Sequence, residues 1–100
     1  MIHCFNKKMD KEIKICIPRV ENNIHREYIY KKIKKINAGK IQSFVEKPLK
    51  SERKFKKIFI KMKISPFNAM GAYILDQFSR GQTIKLVYHH ENYWRLLETS

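Results

Sequence analysis

The chain has 100 residues, of which 43% are apolar, and its 22 basic and 9 acidic residues give a formal charge of +13. This length builds one hydrophobic core, so a single domain is expected. The sequence has neither the roughly 20-residue apolar run of a membrane helix nor an N-terminal secretory signal, so we expect a soluble intracellular protein without membrane contact. The charge favours nucleic acid as partner, although many lysines in such a composition only solvate a surface.

The N-terminal part of the chain predicts a flexible arm and then a strand. Residues 1–11 are polar, basic and without pattern, as is typical of a terminal arm. From Ile13 to Ile17, isoleucines alternate with Lys14 and Cys16, which predicts a strand that Pro18 closes. We therefore divide the chain into a basic arm (1–11), a domain (12–90) and an aromatic C-terminal extension (91–100).

Two helices are predicted from the spacing of apolar residues. The first follows the asparagine pair at 22–23 as N-cap and ends at Gly39. The second begins with Ser65 as cap and proline in the first turn, and it ends at Gly81. Apolar residues recur at three and four positions in each helix and predict its buried stripe. The stripes are Ile29, Ile33 and Ile36 in the first helix and Phe67, Met70, Ile74 and Phe78 in the second.

The segment from Phe55 to Ile64 alternates strictly between two kinds of residue, which predicts a strand with one dry and one basic face. The dry face carries Ile58, Ile60, Met62 and Ile64, and the other carries Phe55, Lys57, Phe59, Lys61 and Lys63. Neighbours on one face lie about 7 Å apart along a strand. Such a row can stack bases and neutralise phosphates. Two further strands are predicted at 40–47 and 83–90.

The order of elements is strand, helix, strand, strand, helix, strand. Right-handed crossovers then place both helices on one face of a four-stranded antiparallel sheet, the βαββαβ ferredoxin-like sandwich of the α+β class. The other face of the sheet is left open to a partner. Because many functions share this topology, the fold alone does not define the activity.

Two segments resemble the paired motifs of the RNA recognition motif (RRM) family. Residues 15–20, Ile-Cys-Ile-Pro-Arg-Val, resemble the shorter motif, and residues 56–62, Lys-Lys-Ile-Phe-Ile-Lys-Met, resemble the longer one. Cys16 and Lys57 stand where that family has aromatic residues, so only Phe59 is retained.

Further segments are similar to small RRM-like proteins encoded by giant DNA viruses. These are Gly-Lys-Ile before the second strand, Ile-Lys-Leu-Val-Tyr in the last strand and Tyr-Trp-Arg after it. This resemblance implies an RRM-like fold without an assigned biochemical role. For a virus-encoded protein it implies a place in the host cytoplasm or in the virion.

The candidate site residues lie on the predicted open face. Phe59 is the first candidate for stacking on a base. The candidate phosphate contacts are Lys14, Lys57, Lys61, Lys63 and Lys85, with Phe55 as a second aromatic. Arg19 either stacks or clamps at the end of the first strand, or it only pairs with Glu21. Tyr93 and Trp94 either fold over Phe59 as a lid or dock a partner.

The sequence contains no motif that predicts enzymatic activity or metal binding. It has no carboxylate pair, Ser-His-Asp set or phosphate loop, and its cysteines and histidines lack the spacing of a metal site, so neither metal nor cofactor is expected. The first hypothesis is a module that binds single-stranded RNA with low sequence selectivity, with DNA left open as a ligand. The second is a protein-interaction or virion-associated module, or a homodimer, whose sheet face is covered by the C-terminal aromatics.

Overall fold

The computed structural model describes residues 10–99, which form an α+β fold of two helices and five strands. The elements in chain order are β1 (Lys11–Glu21), α1 (Arg26–Lys35), β2 (Gly39–Pro48), β3 (Phe55–Ile64), α2 (Ala69–Ser79), β4 (Ile84–His89) and β5 (Asn92–Thr99). Most of the predicted N-terminal arm lies outside the described residues, and its last residue, Lys11, already belongs to β1.

The five strands form one antiparallel sheet in the order β2-β3-β1-β5-β4. β1 lies in the centre, paired with β3 along most of its length and with β5 only over Lys14–Cys16. The predicted α+β class is confirmed. The strand count is five among residues 10–99, where the sequence analysis expected four.

The core lies on one face of the sheet and follows the predicted alternation of β1 and β3. Ile13, Ile15 and Ile17 of β1 and Ile58, Ile60, Met62 and Ile64 of β3 are all buried. Ile29 and Ile33 of α1 and Ile74 and Phe78 of α2 belong to the same cluster. Both helices therefore cover this face of the sheet. We call the opposite face of the sheet the open face.

The segment predicted as an aromatic extension is the strand β5. Trp94 and Leu96 are buried in the core cluster, whereas Tyr93 and Arg95, which alternate with them, are exposed. A tight turn at His90, with φ of 50°, folds β5 back along β4. The alternation of apolar and polar residues from Tyr93 to Leu96 was the overlooked strand signal, and burial of the indole supplies the driving force.

The helices begin later than predicted. His25, and not the asparagine pair at 22–23, is the N-cap residue of α1. Asn68 caps α2, since its side chain accepts a hydrogen bond from the Gly71 amide at 3.0 Å. The Ser65 hydroxyl instead accepts from the Phe67 amide at 3.2 Å in the turn before the helix.

The later start of α2 changes its buried stripe. Gly71, Ile74 and Phe78 face the core, whereas Phe67 and Met70 are 67% and 43% exposed. A Cβ on Gly71 would lie 2.1 Å from the Ser65 carbonyl oxygen, so only glycine permits this close approach. The prediction that Phe67 and Met70 are buried is wrong, because Gly71 and not Met70 faces the core and Phe67 lies before the helix.

The other helix and strand ends also differ in detail from the predictions. At the end of α1 the left-handed residue is Asn37, with φ of 57°, and Gly39 instead begins β2. Gly81, with φ of 74°, follows α2 as predicted. Pro18 does not close β1, because the strand continues past it through a register shift between Ile17 and Val20.

Candidate nucleic-acid interface

The open face is built around β3. Its strand bounds are those predicted from the alternation, and Lys57, Phe59, Lys61 and Lys63 lie on the face opposite the buried isoleucines. Residues paired across strands share a face, so the strand register identifies their neighbours on β1 and β2. Cys16 of β1 and Val45 of β2 flank Phe59, and Leu97 of β5 continues this row beside Cys16.

Basic residues oppose one another across the strands of the open face. Lys14 is paired with Lys61 between β1 and β3. Lys47 is paired with Lys57, and Lys40 with Lys63, between β2 and β3. Lys85 is paired with Arg95 between β4 and β5. Directly opposed residues have Cβ atoms about 4.5–5.5 Å apart, so each pair holds two like charges at short range.

Few acidic groups compensate these charges. Glu12 lies 3.9 Å from the Lys61 ammonium, an exposed pair of small energetic value. Within the described residues, this is the one ion pair that involves a lysine of the four opposed pairs. The open face therefore carries a large excess of positive charge.

Phe59 lies in the middle of these lysines and is half-buried between its neighbours. The Lys47 ammonium is 5.6 Å from the centre of the Phe59 ring. A depression of about 140 Å³ adjoins the ring, and Val45 and Lys61 are among the residues that line it. The ring of Phe59 and an ammonium group of the open face therefore meet in a single place.

Cys16 stands beside Phe59 and is 6% exposed. Burial raises the pKa of the Cys16 thiol, and the positive charge of Lys57 opposes this shift in part. Because the reactive form of cysteine is the thiolate, the raised pKa makes this thiol unreactive at neutral pH. Cys16 acts here as a small apolar residue at the position where an aromatic was expected.

Arg19 and Phe55 lie together at one end of the open face. The Arg19 guanidinium carbon is 4.2 Å from the centre of the Phe55 ring. Arg19 also donates to the Glu52 carboxylate at 2.6 Å, with both side chains about half exposed. The predicted alternative of pairing with Glu21 is wrong, because the loop between β2 and β3 brings Glu52 to Arg19 instead.

Tyr93 and Trp94 point to opposite faces of the sheet, and neither covers Phe59. Trp94 is 3% exposed and stacks on Tyr88 at 4.1 Å between ring centres. Tyr93 shares the open face with Lys85 and Arg95, and the Lys85 ammonium is 4.3 Å from its ring centre. The predicted lid over Phe59 is wrong, because β5 pairs with β1 and β4 in the plane of the sheet.

Three basic residues of this surface, Lys40, Lys47 and Arg95, were missed from the sequence. The register shift in β2 between Ile41 and Ser43 brings Lys40 onto the same face as Lys47. A simple alternation through β2 would have separated them. The prediction of an extension over residues 91–100 omits Arg95, although the alternation of Arg95 with Trp94 and Leu96 is typical of a strand.

Lys56 is a separate case, because it lies on the core face and is 7% exposed. Its ammonium contacts the Glu46 carboxylate at 2.5 Å and donates to the Ile24 carbonyl at 2.7 Å. A buried charge needs such partners. Lys56 therefore links β3 to β2 and to the turn that precedes α1, and it is not part of the open face.

Residues 10–99 contain no group of three or more histidine, cysteine or acidic side chains placed to hold a metal ion. Neither helix of this region has the length and apolar character needed to cross a membrane. Comparison with models of protein families, with curated proteins and with solved structures finds no match to this chain.

Proposed function

We propose that this protein binds single-stranded RNA with low sequence selectivity through the open face of its sheet. The observation that carries the proposal is the set of four opposed basic pairs. Like charges directly opposite in a sheet destabilise the fold, by a magnitude of about 0.2–1 kcal/mol per pair. A phosphate between two ammonium groups reverses the sign of that interaction. The face is thus better suited to a polyanion than to water alone.

Phe59 supports a single strand as the ligand. A duplex hides the faces of its bases, whereas an unpaired base can stack on an aromatic ring, which contributes about 1–3 kcal/mol per base. Ammonium groups on the phosphates and a ring against a base do not distinguish one base from another. Low selectivity on this part of the face follows from that chemistry.

The strand order supports an RRM-like interpretation of the fold as part of this proposal. In the split βαβ arrangement the first and third strands are central, as β1 and β3 are here. We assign β5 the place of the fourth strand, beside β1, and treat β4 as an additional strand at the edge. If the protein is virus-encoded, as the resemblance to giant-virus proteins implies, its proposed location is the host cytoplasm or the virion.

The test is a titration of labelled single-stranded RNA at physiological salt, with duplex DNA and single-stranded DNA as competitors. Wild type is compared with Phe59→Leu, which keeps an apolar side chain between Cys16 and Val45 but removes the ring. We expect submicromolar binding by wild type and a loss of about fivefold or more in the variant. Competition by duplex DNA should be weak, and competition by single-stranded DNA measures the preference for RNA.

A matched control separates the ring on the open face from aromatic residues elsewhere. Tyr30→Leu removes a ring from α1, on the other side of the sheet, and should leave RNA affinity unchanged. Thermal unfolding of both variants shows whether they are folded. Equal affinity of wild type and Phe59→Leu, with binding only at low salt, would contradict the proposal.

A second candidate function, a protein-interaction module, is favoured by the exposed face of α2. Phe67, Met70 and Tyr73 are 67%, 43% and 51% exposed. Asp76 is the one charged residue between Ile64 and Ser79, in a chain of net charge +13. Sedimentation at high salt tests this alternative: self-association that Tyr73→Glu abolishes would favour it, and a monomer at all concentrations would speak against a homodimer.

A further inference from the structure

Phe59 belongs to a group of four side chains on the open face. It is paired with Val45 of β2, and two residues further along Lys47 is paired with Lys57. The Lys47 ammonium lies 5.6 Å from the centre of the Phe59 ring. The group therefore consists of an aromatic ring, a valine opposite it, and an opposed basic pair whose member on the edge strand lies near the ring.

The same arrangement recurs at the other edge of the sheet. Tyr93 of β5 is paired with Val87 of β4, and two residues away Lys85 is paired with Arg95. The Lys85 ammonium lies 4.3 Å from the centre of the Tyr93 ring, and the Arg95 guanidinium carbon lies 5.7 Å from it. As in the first group, the lysine near the ring belongs to an edge strand, which is β4 here and β2 there.

Both groups expose apolar side chains, although the sheet has a buried face to hold them. Within residues 10–99, the large apolar side chains that are exposed on strands are Val45, Val87 and Tyr93, at 43%, 52% and 41%. All three lie on the open face and belong to the two groups. Exposed apolar side chains rimmed by polar residues mark interaction sites, and rings beside basic groups are the surfaces on which single strands stack.

The two rings are well separated on the open face. Phe59 is paired with Cys16 of β1, and Cys16 with Leu97 of β5, so two strand spacings of about 4.8 Å separate β3 from β5. Tyr93 lies four residues from Leu97, or about 13 Å along β5. The rings are therefore roughly 16 Å apart. Neighbouring bases of one strand lie closer together than this, so a strand that contacts both rings has nucleotides between them.

We propose that Tyr93 is a second ring on which an RNA base stacks, with Lys85 and Arg95 on the adjoining phosphates, so that one strand crosses the sheet from β3 to β5. The inference rests on the proposed function and deepens it, because it gives the bound strand a path and a minimum length. Lys85 is exposed, and an exposed contact between an ammonium group and a ring is weak. The Lys85 ammonium can therefore leave the ring for a phosphate when a base stacks there.

The test measures the affinity of wild type and Tyr93→Leu for labelled diuridine and octauridine by anisotropy. Octauridine is long enough to reach both rings, and we expect the variant to bind it about fivefold or more weakly than wild type. Diuridine reaches one ring at a time and still has Phe59 available in the variant. Its affinity should therefore fall by no more than about twofold.

Two matched variants and a salt titration identify the role of the ring. Tyr93→Phe keeps the ring and should bind octauridine as wild type does. Tyr73→Leu removes a similarly exposed ring from α2, on the other side of the sheet, and should also leave the affinity unchanged. Because Tyr93→Leu removes no charge, its slope of log K against log salt should equal that of wild type. Thermal unfolding shows whether each variant is folded.

Two results would overturn the inference. Equal affinity of wild type and folded Tyr93→Leu for octauridine would mean that Tyr93 and Val87 only form a cross-strand pair that stabilises the sheet. An equal loss for diuridine and octauridine would mean that the two rings are not separate contacts of one strand.

Phe59→Leu, titrated with the same oligouridines, separates this inference from the proposed function. A loss of octauridine affinity in Phe59→Leu but not in Tyr93→Leu would overturn the second ring and leave the proposed function standing. A loss in Tyr93→Leu alone would support the second ring and contradict the role proposed for Phe59. No loss in either variant would contradict both.

Discussion

Two regions of this molecule are rich in lysine, and they differ in whether the fold accounts for the charge. Helix α1 has Lys32, Lys34 and Lys35 in its last turn, where the partial negative charge of the helix C-terminus favours cations. On the open face lysines oppose lysines, and Glu12 is the one acidic residue of the described region that forms an ion pair with any of them. The positive charge of α1 therefore has a structural explanation, and that of the sheet does not.

The comparison shows that the number of basic residues does not locate a binding surface, whereas their arrangement does. A sequence of net charge +13 places lysines on every side of the fold. Within residues 10–99, the open face alone has them in opposed pairs around an aromatic ring. Departures from local stability rules of this kind are typical of functional surfaces.

The largest expected effect is a difference in RNA affinity between two triple variants of equal charge. Replacing Lys57, Lys61 and Lys63 by glutamine should weaken binding roughly 30- to 100-fold, because three phosphate contacts are lost. It should also reduce the slope of log K against log salt by about 2. Replacing Lys31, Lys34 and Lys35 by glutamine should cost less than about threefold. RNA affinity is measured by anisotropy at physiological salt. A similar loss of affinity in the two triple variants would show that the open face and α1 do not differ as binding surfaces.

Lys56 differs from the lysines of both regions, because it is buried and forms an ion pair with Glu46. Lys56→Ala should lower the free energy of unfolding by about 2 kcal/mol, because it leaves the Glu46 carboxylate without its partner. The loss is below that of a fully buried pair since Glu46 keeps 28% of its side chain exposed. Urea unfolding measures it, and RNA affinity at constant fold should be unchanged.

A double variant tests the explanation for Lys56. Replacing Lys56 by methionine and Glu46 by leucine together should restore most of the lost stability, because no charge is then left unpaired. A double variant as unstable as Lys56→Ala would show that packing, and not the ion pair, accounts for the effect.

The smallest expected effect is a change of opposite sign in the free energy of unfolding when one lysine is replaced in each region. Lys57→Gln should raise the free energy of unfolding by about 0.3 kcal/mol, because it removes the repulsion with Lys47. Lys35→Gln should lower it by a similar amount, about 0.3 kcal/mol, because it removes a favourable charge at the end of α1. Thermal unfolding at low salt resolves the two directions. A decrease in both variants would mean that the lysines of the open face are not in conflict with the fold.

The sequence predicted the parts of the structure in which one pattern dominates. β3 was found with its bounds and both faces, because its alternation is uninterrupted from Lys56 to Ile64. For the same reason Lys57, Phe59, Lys61 and Lys63 were placed together on one surface. The class of the fold followed from the order of the patterns.

The remaining features depend on register and contact, which a single sequence does not specify. The shift in β2 decides that Lys40 joins the open face, and nothing in the residues around it marks the position. The phase of α2 depends on the cap at Asn68, whose side chain also donates to the Asn37 carbonyl at 2.8 Å. The positions of Tyr93 and Trp94 depend on which strand β5 pairs with.

The pairing of β1 with β5 has a consequence for the synthesis of the protein. β1 leaves the ribosome before the strands it pairs with, and its partner residues Leu97–Thr99 are translated about 80 residues later, or roughly 4–16 s at ordinary rates of elongation. Until then one edge of the central strand carries unpaired backbone groups, which are prone to aggregation. The nascent chain is therefore most vulnerable just before β5 is made, and a stalled chain lacking β5 is the form that we expect chaperones to bind.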